Sequence, residues 1–504
     1  MTQQKPDRDR DNAIPKKSGA IDSREGSSAP SRRDFIKRTT AAGAGFMILP
    51  RHVLGGRGYT PPSDKLVIAG IGVGGKGRSD LNSFHESGKA EIGYLCDVDT
   101  RRAAESVERY PNATFYEDWR EMLDKEAAHF DAVAVSTPDH NHAVQAMAAM
   151  QLGKHVWVQK PLTHDVYEAR KLTEAAEHYQ VVTQMGNQGA SGDGVRQLQE
   201  WYDAGIIGDV HTIQIWTNRP VWPQGIEWPA KAPVPAELNW DLWLGTAPWR
   251  DYADKVVPSS WRGWWDYGTG ALGDLGCHLI EAPFRVLNLQ YPLDVQASVS
   301  SVYVDWGERG YFKDTPPPSS HATLTFPKTD KTAGPVTMHW MDGGIKPARP
   351  PELGPDEMFG DGNSGILFIG TEGKMIASEY AANPRLLPTS RMDEVEVPQT
   401  IERVPGGADG HYAQWVEGCI AGYGNMKLSS SFDLAGPLTE AVLMANLAIR
   451  VADIPKPREN GRGYHYPGSN VKLLWDHENM RVTNYDEANQ FVQREYRQGW
   501  SLGV

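Results

Sequence analysis

The sequence predicts an α/β protein: an N-terminal doubly wound parallel sheet joined to a C-terminal α/β domain with a large, mainly antiparallel open sheet. Three observations carry this reading. The apolar run 65–71 feeds directly into a glycine-rich turn. Short runs of buried type then alternate with helical periods as far as residue 185, as in a βαβ chain. From about residue 186 the strand-like runs succeed one another without regular helices, as antiparallel pairing requires. A chain of 504 residues is long enough for two or three such cores.

Taken in chain order, residues 1–58 read as an address and a linker. The first 30 are polar and rich in Pro, Ser, Asp and Lys, with too little apolar surface to fold alone. Ser31-Arg32-Arg33-Asp34-Phe35-Ile36-Lys37 follows, then a mildly apolar Ala/Gly-rich run over 39–49. This resembles the bacterial twin-arginine export signal, with Ile36 in the usual leucine position. A run of about 11 residues is too short for a permanent membrane anchor. The resemblance implies passage through the twin-arginine translocase and a periplasmic or exported location. That route carries folded proteins, so any cofactor would travel inside.

Residues 59–185 read as the parallel-sheet domain. The run 65–71 is a buried strand, and Gly72-Val73-Gly74-Gly75-Lys76-Gly77 fits G-x-G-x-x-G at positions 72, 74 and 77. A register at 70, 72 and 75 also fits, but it would place its glycines in the strand rather than the turn. Gly72 allows the tight turn, Gly74 lets the backbone approach a pyrophosphate, and Gly77 lets the helix pack closely. Gly75 and Lys76 complete the loop. Asp97 ends the second strand, twenty residues past Gly77, where a carboxylate accepts from ribose hydroxyls and repels a 2′-phosphate. NAD is therefore the expected cofactor; Arg101 and Arg102 nearby leave NADP possible. Further strands are expected over 131–136 and 155–159.

Candidate chemistry gathers at the carboxyl ends of these strands. Oxidising a secondary alcohol needs a base of near-neutral pKa for the hydroxyl proton. His278 has the intrinsic pKa. Asp274, four residues earlier, would share its helix face and could fix its tautomer and stabilise its protonated form. Lys160, at a parallel strand's end, could hydrogen-bond the reacting oxygen. Each also has a plainer reading, as a solvated strand end, a capping Asp or a core His. No third ligand accompanies Asp274 and His278 at a metal-site spacing, so no metal is expected.

Three motifs in order then carry a specific resemblance: Thr137-Pro138-Asp139-His140-Asn141-His142, Gln159-Lys160-Pro161, and Gly270 to His278 with Asp274 inside it. They are similar to those of the glucose–fructose oxidoreductase/inositol dehydrogenase (Gfo/Idh/MocA) family, from about Lys65 to the C-terminus. The family usually has E-K-P, so Gln159 departs from it and removes a carboxylate that could tune Lys160. The resemblance implies that Lys160 and His278 share proton transfer, and that Thr137, His142 and Gln159 lie at the cofactor. It further implies a carbohydrate or cyclitol substrate and a homo-oligomer, dimer or tetramer. Gln184, Asn187 and Gln188 after the sixth strand, and Trp261 and Arg262 before the Asp/His helix, are candidates for nicotinamide or substrate contact.

Residues 186–504 read as a substrate and oligomerisation domain. Strands are expected over 210–217, 294–304, 321–326, 336–340 and 366–370, and the Pro/Gly-rich stretch 344–365 as a disordered loop or a substrate lid. Ten of the 17 tryptophans fall between Trp201 and Trp265; flat rings stack on pyranose faces, so at least one is expected at a sugar site. A net charge of -13 argues against nucleic acid or anionic membrane as partner. Cys96, Cys277 and Cys419 lie far apart, in no disulfide or zinc pattern. Three readings stay open: a sugar dehydrogenase or reductase, a redox-assisted glycosidase or epimerase, and a non-catalytic cofactor-bound protein.

Overall fold

The structure is a computed structural model and describes residues 65–504. The twin-arginine motif and the apolar run after it lie outside the described residues.

Six strands, β1 (Leu66–Ile71), β2 (Ala90–Cys96), β3 (Thr114–Tyr116), β4 (Ala132–Val135), β5 (His155–Val158) and β6 (Thr183–Met185), form one parallel sheet in the order β3-β2-β1-β4-β5-β6. Helices α1 (Lys76–Glu86), α2 (Thr100–Arg109), α3 (Trp119–Glu126), α4 (Asp139–Gln151) and α5 (Val166–Tyr179) join them. Because both faces are covered, the central strands are apolar throughout: Ala132–Val135 is buried at every residue. Polar residues set the helix starts. Asp99 and Asp118 each accept the backbone N–H two residues on, and Asp165 with Glu168 forms a reciprocal capping box. β1 and β4, neighbours at the centre of this sheet, feed opposite crossovers, which opens the ligand crevice at their carboxyl ends.

After α6 (Asp193–Asp203) the chain enters a nine-stranded mixed sheet. Its strands are β7 (Val210–Trp216), β8 (Asp294–Val299), β11 (Ser320–Phe326), β12 (Val336–Met341), β13 (Gly365–Gly370), β14 (Lys374–Ala377), β15 (Arg385–Leu387), β18 (Leu473–Asp476) and β19 (Arg481–Val482). The order is β15-β14-β13-β7-β12-β11-β8-β18-β19, antiparallel except where β7 meets β12. The remaining short strands, β9 (Tyr303–Asp305) with β10 (Glu308–Arg309) and β16 (Lys456–Pro457) with β17 (Tyr464–His465), form two separate ribbons. The sequence-based strand 294–304 is thus two elements, broken at residues 300–302. Alternation along β11 buries Ala322, Leu324 and Phe326 and leaves His321, Thr323 and Thr325 half-buried, as expected for a sheet covered on one face.

Between β7 and β8 lie α7 (Trp240–Leu244), α8 (Gly270–Leu279) and α9 (Glu281–Val286). Late in the chain, α10 (His411–Ala421) and α11 (Phe432–Ala452) return to the parallel-sheet domain, packing on α1 and α5 respectively. α11 is long and apolar enough to cross a bilayer, but it is a buried core helix among α5, α8 and β8. Its position ties the two sheets into one body.

The stretch 344–365 corrects the expectation of a disordered loop or lid. Leu353 and Phe359 fold down on Trp216 and Met341 as a small core of their own, and no residue of the stretch lines the cleft described below.

Several histidines are buried in neutral form. Burial pushes His140 down to about 3, and His155 and His411 down to about 4. A folded-state pKa below the unfolded value of about 6.5 means that the unfolded chain binds the extra protons as pH falls. Stability is therefore full above about pH 6.5 and should decline below it by about 1.4 kcal/mol per pH unit for each such group, down to the folded value. Denaturant unfolding at pH 7, 5.5 and 4.5 checks this; a flat profile would contradict it.

Candidate active site

A cleft of about 550 Å³ opens at the carboxyl ends of the parallel strands, a size suited to a small-molecule ligand. Gly72, Gly74 and Lys76 form one side of its floor, with Asp97, Thr137, Gln159 and Lys160 around them. Trp222, Trp261, Arg262, Asp274, His278, Glu379 and Tyr380 from the second domain close over it.

The glycine loop has a steric reason at each motif position. Gly72 has φ +77°, and a Cβ there would lie 2.7 Å from the Ser136 carbonyl oxygen. A Cβ at Gly74 would lie 2.8 Å from Arg102 Cβ, and one at Gly77 would collide with the Gly72 carbonyl. The 72/74/77 register is the one in which all three glycines are required. No side chain caps the first turn of α1, the end at which a helix takes an anion. The loop therefore fits a dinucleotide's pyrophosphate.

Asp97 is more engaged than the sequence suggests. Its Oδ2 accepts from the Val73 and Gly74 amides (2.9 and 3.1 Å) and its Oδ1 from the Asp99 amide (3.0 Å). The carboxylate thus shapes the glycine loop as well as facing the cleft. Arg102 lines the same end, whereas Arg101 turns back onto Asp99.

Lys160 and Asp274 meet across the domains. Lys160 Nζ donates to Asp274 Oδ1 and to the Asp274 carbonyl oxygen, both at 2.7 Å. Arg262 Nε donates to the same Oδ1 at 3.1 Å, its guanidinium lying over the Trp261 ring. Burial alone would raise the Asp274 pKa, but the Lys160 and Arg262 charges outweigh it and hold the carboxyl well below its usual range. This corrects the expected Asp274–His278 couple: the carboxylate is committed to two cations and does not orient the imidazole. His278 Nδ1 is buried without a partner. Burial first, and then the Lys160 charge, push His278 well below the ordinary histidine value, so the ring rests neutral and is a weaker base than the near-neutral one its residue type suggests.

The missing family carboxylate is also accounted for. Gln159 Nε2 donates 2.8 Å to Asp80 Oδ2, which also accepts from Ser136 Oγ at 2.9 Å. Asp80 is fully buried, and its other oxygen takes the Lys76 ammonium, which also donates 2.7 Å to the Tyr412 hydroxyl. A carboxylate is therefore present, but on α1. A glutamate at 159 would set two buried carboxylates against each other.

Other candidate residues divide clearly. Thr137, Gln188, Trp261 and Arg262 line the cleft. His142 does not: its Nδ1 and Nε2 face the Pro161 and Thr137 carbonyls at 2.9 and 2.7 Å, tying the loop after β4 to the Lys160-Pro161 turn. His140 faces the Trp243 and Tyr267 carbonyls at 3.0 and 3.2 Å. Gln184 is fully buried, donates 2.8 Å to the His411 carbonyl and does not line the cleft. Asn187 is buried behind the lining, with both amide heavy atoms unpartnered. Among the ten clustered tryptophans, Trp222, Trp243 and Trp261 reach the cleft. Trp240, Trp243, Trp261 and Trp264 share a separate small core.

That core belongs to a segment strapped over the Asp97 end of the cleft. The Thr100 amide donates to the Glu237 carbonyl (3.1 Å) and the Asn239 amide to the Val98 carbonyl (2.8 Å) on one side. Thr246 Oγ1 bonds the His140 carbonyl on the other. Sequence reasoning did not identify Asp139, Glu379 or Tyr380 in the cleft; the last two follow strand Lys374–Ala377, far downstream of the parallel sheet that ends at Met185, with no motif to mark them.

Gln159→Glu should lower unfolding stability at neutral pH by about 1–3 kcal/mol, and Asp80→Asn in the same chain should recover most of it. Denaturant melts of the two single variants and the double variant check this; additive losses would contradict the pairing.

With this geometry in place, similarity to known proteins can be read. Residues 66–187 match the oxidoreductase family's NAD-binding Rossmann fold (GFO_IDH_MocA), and residues 195–306 match that family's C-terminal alpha/beta domain. A levoglucosan dehydrogenase of Pseudarthrobacter phenanthrenivorans is 26% identical over 188 residues, 37% of this chain and 40% of that protein. A glycosyl hydrolase family 109 protein of Shewanella sp. (strain ANA-3) is 31% identical over 173 residues, 30% of this chain and 37% of that protein. The chain thus spans about two fifths of the length of the curated relatives it matches. In fold, the WlbA dehydrogenase of Bordetella pertussis, solved with NADH and UDP-GlcNAcA, superposes with a TM-score of 0.52 at 15% identity, over 82% of this chain and 99% of that one. Over residues 66–187 and 195–306 the chain is therefore similar to the two domains of the Gfo/Idh/MocA family of NAD-binding oxidoreductases.

Proposed function

We propose that the protein oxidises or reduces a secondary hydroxyl of a sugar, glycoside or cyclitol, using NAD held tightly in the cleft. The observation that carries this is the Lys160–Asp274 pair, 2.7 Å long, beside a buried neutral imidazole one helical turn away. Bound NAD supplies a hydride acceptor or donor. His278, neutral and desolvated, takes the hydroxyl proton. Lys160, held by two bonds to Asp274, has donor capacity left for the reacting oxygen and favours its developing negative charge. Trp222 and Trp261 offer flat faces for a sugar ring, and Arg262 a donor at its edge. The strap over the Asp97 end supports a retained cofactor.

Mixing the purified protein with a panel of glycosides and free sugars, while following nicotinamide absorbance, tests the reading. Spectral change with at least one sugar is expected. Lys160→Ala and His278→Ala should each lower kcat by about 10²–10⁴. Retention of full activity by both variants would show that the chemistry lies elsewhere. The acid limb of kcat/KM should fall below the ordinary histidine pKa of about 6.5, since burial holds His278 down.

A second reading has its own support in the family 109 glycosyl hydrolase relatives. There the same Lys160 and His278 would serve transient oxidation, elimination of the aglycone, addition of water to the resulting double bond and return of the hydride. Aglycone release with no net change in the nicotinamide spectrum selects it. Self-association as a dimer or tetramer is part of the proposal, and light-scattering mass checks it. Export by the twin-arginine route is also proposed, on the motif at 31–37. Replacing Arg32 and Arg33 by lysine should leave the protein in the cytoplasmic fraction; unchanged export would remove that element.

A further inference from the structure

The imidazole proposed as base has no hydrogen bond to fix its orientation through Nδ1, and Asp274 is committed elsewhere. What touches the ring is Tyr380. The two rings meet edge to face, with centroids 4.6 Å apart and planes at 74°. Tyr380 arrives from the turn between β14 and β15, and both it and Glu379 line the cleft.

The backbone there is unusual. Tyr380 has φ +60° and ψ +23°, and Ala381 and Asn383 also have positive φ, at +56° and +49°. None of the three is glycine, and left-handed backbone is disfavoured for a tyrosine or an alanine. Such strain persists only where the surroundings over-determine it, and it clusters at functional sites. The surroundings are visible. A Cβ on Gly189 would lie 2.9 Å from Tyr380 Cβ and 3.1 Å from its Cα, and one on Gly194 would collide with the Ala381 carbonyl. Glycines 189 and 194, one in the turn after β6 and one at the start of α6, leave the room in which the strained segment seats.

We infer that Tyr380 is a positioning residue for the reaction: its ring, seated by a strained turn of the second domain, holds the His278 imidazole in place and keeps water from it. This rests on the assignment of His278 as base. The phenol itself is pushed up by burial and by the neighbouring Glu379 charge, so it stays protonated and does not compete for the proton. Charged and titratable groups acting on His278 are Lys160, Asp274, Lys76 and Arg219, with Glu379 and Tyr380 in the segment against its ring. Of these three cations and two carboxylates, Glu379 is hydrogen-bonded to the Tyr380 side chain; Tyr380→Phe removes that bond as Tyr380→Gly does, so a change in His278 titration found in Tyr380→Gly and not in Tyr380→Phe reports the ring.

The test uses the full-length protein labelled at histidine, with the His278 resonance assigned by its loss in His278→Gln. Tyr380→Gly suits the left-handed backbone, which offsets part of the packing lost with the ring and keeps the protein folded. It should move the His278 titration midpoint up by about one pH unit or more, toward 6.5, and lower kcat about tenfold or more with a smaller effect on KM. Tyr380→Phe keeps the ring and should leave titration midpoint and kcat close to wild type. Gly189→Ala, which pushes on Tyr380 without altering it, should shift His278 in the same direction as Tyr380→Gly. An unmoved His278 midpoint in folded Tyr380→Gly would overturn the inference, as would an equal loss of kcat in Tyr380→Phe. If wild-type protein acts on no sugar, the functional reading fails alone, because the titration still measures the contact.

Discussion

The buried ion pair between Lys160 and Asp274 is the constraint on which the site depends. It joins the end of β5 in one domain to α8 in the other, so it fixes the width of the cleft as well as its charge. A buried pair of this kind is not a source of net stability, because desolvating both ions costs about as much as their attraction returns. Its consequence is chemical. By drawing Asp274 to the lysine and to Arg262, it leaves His278 on the same helix without an acidic partner. The imidazole is then governed by burial and a nearby ammonium, both of which favour the neutral base.

The rest of the molecule packs around that arrangement and ties its two sides together. α10 and α11 return from the C-terminal half to pack on α1 and α5, so the cleft does not lie at a loose hinge between domains. The tryptophan-rich segment crosses the Asp97 end with its own small core, and backbone hydrogen bonds fasten it on both sides. The last residues of the chain reinforce this. Arg494 reaches the His140 carbonyl at 2.6 Å and Glu168 at 2.8 Å, and Arg497 holds the Gly245 carbonyl at 3.0 Å. A catalytic group whose position depends on packing needs such support.

Much of this was legible in the sequence, where the physics is local. A glycine loop after an apolar strand has one steric meaning, and Gly72, Gly74 and Gly77 occupy the positions where a side chain would strike backbone or a neighbouring side chain. Alternating and continuous apolar runs located most long strands to within a residue or two, the exception being 294–304, which ran past the end of β8 at Val299. Short edge strands such as β3 and β15 carry too few residues for a period to register. The pairings that define the site are non-local. Asp274 and His278 share a helix, and spacing alone suggests a couple, but Lys160 lies 114 residues from Asp274 and wins the carboxylate. Asp80 stands 79 residues from Gln159, so the departure from E-K-P looked like a lost charge when the charge had only changed element. Tyr380 was invisible because a left-handed turn without glycine has no sequence signature.

The central claim is that Lys160, held by Asp274, donates to the oxygen on the carbon that loses or gains the hydride. Single-turnover reduction of the bound nicotinamide, followed by stopped flow in Lys160→Ala with and without added methylammonium, tests it most directly. The account expects a slow variant whose rate rises with methylammonium concentration while Asp274 is intact, and no such rescue in the Lys160→Ala, Asp274→Ala double variant. A Lys160→Ala protein that reduces its nicotinamide at the wild-type rate would contradict it.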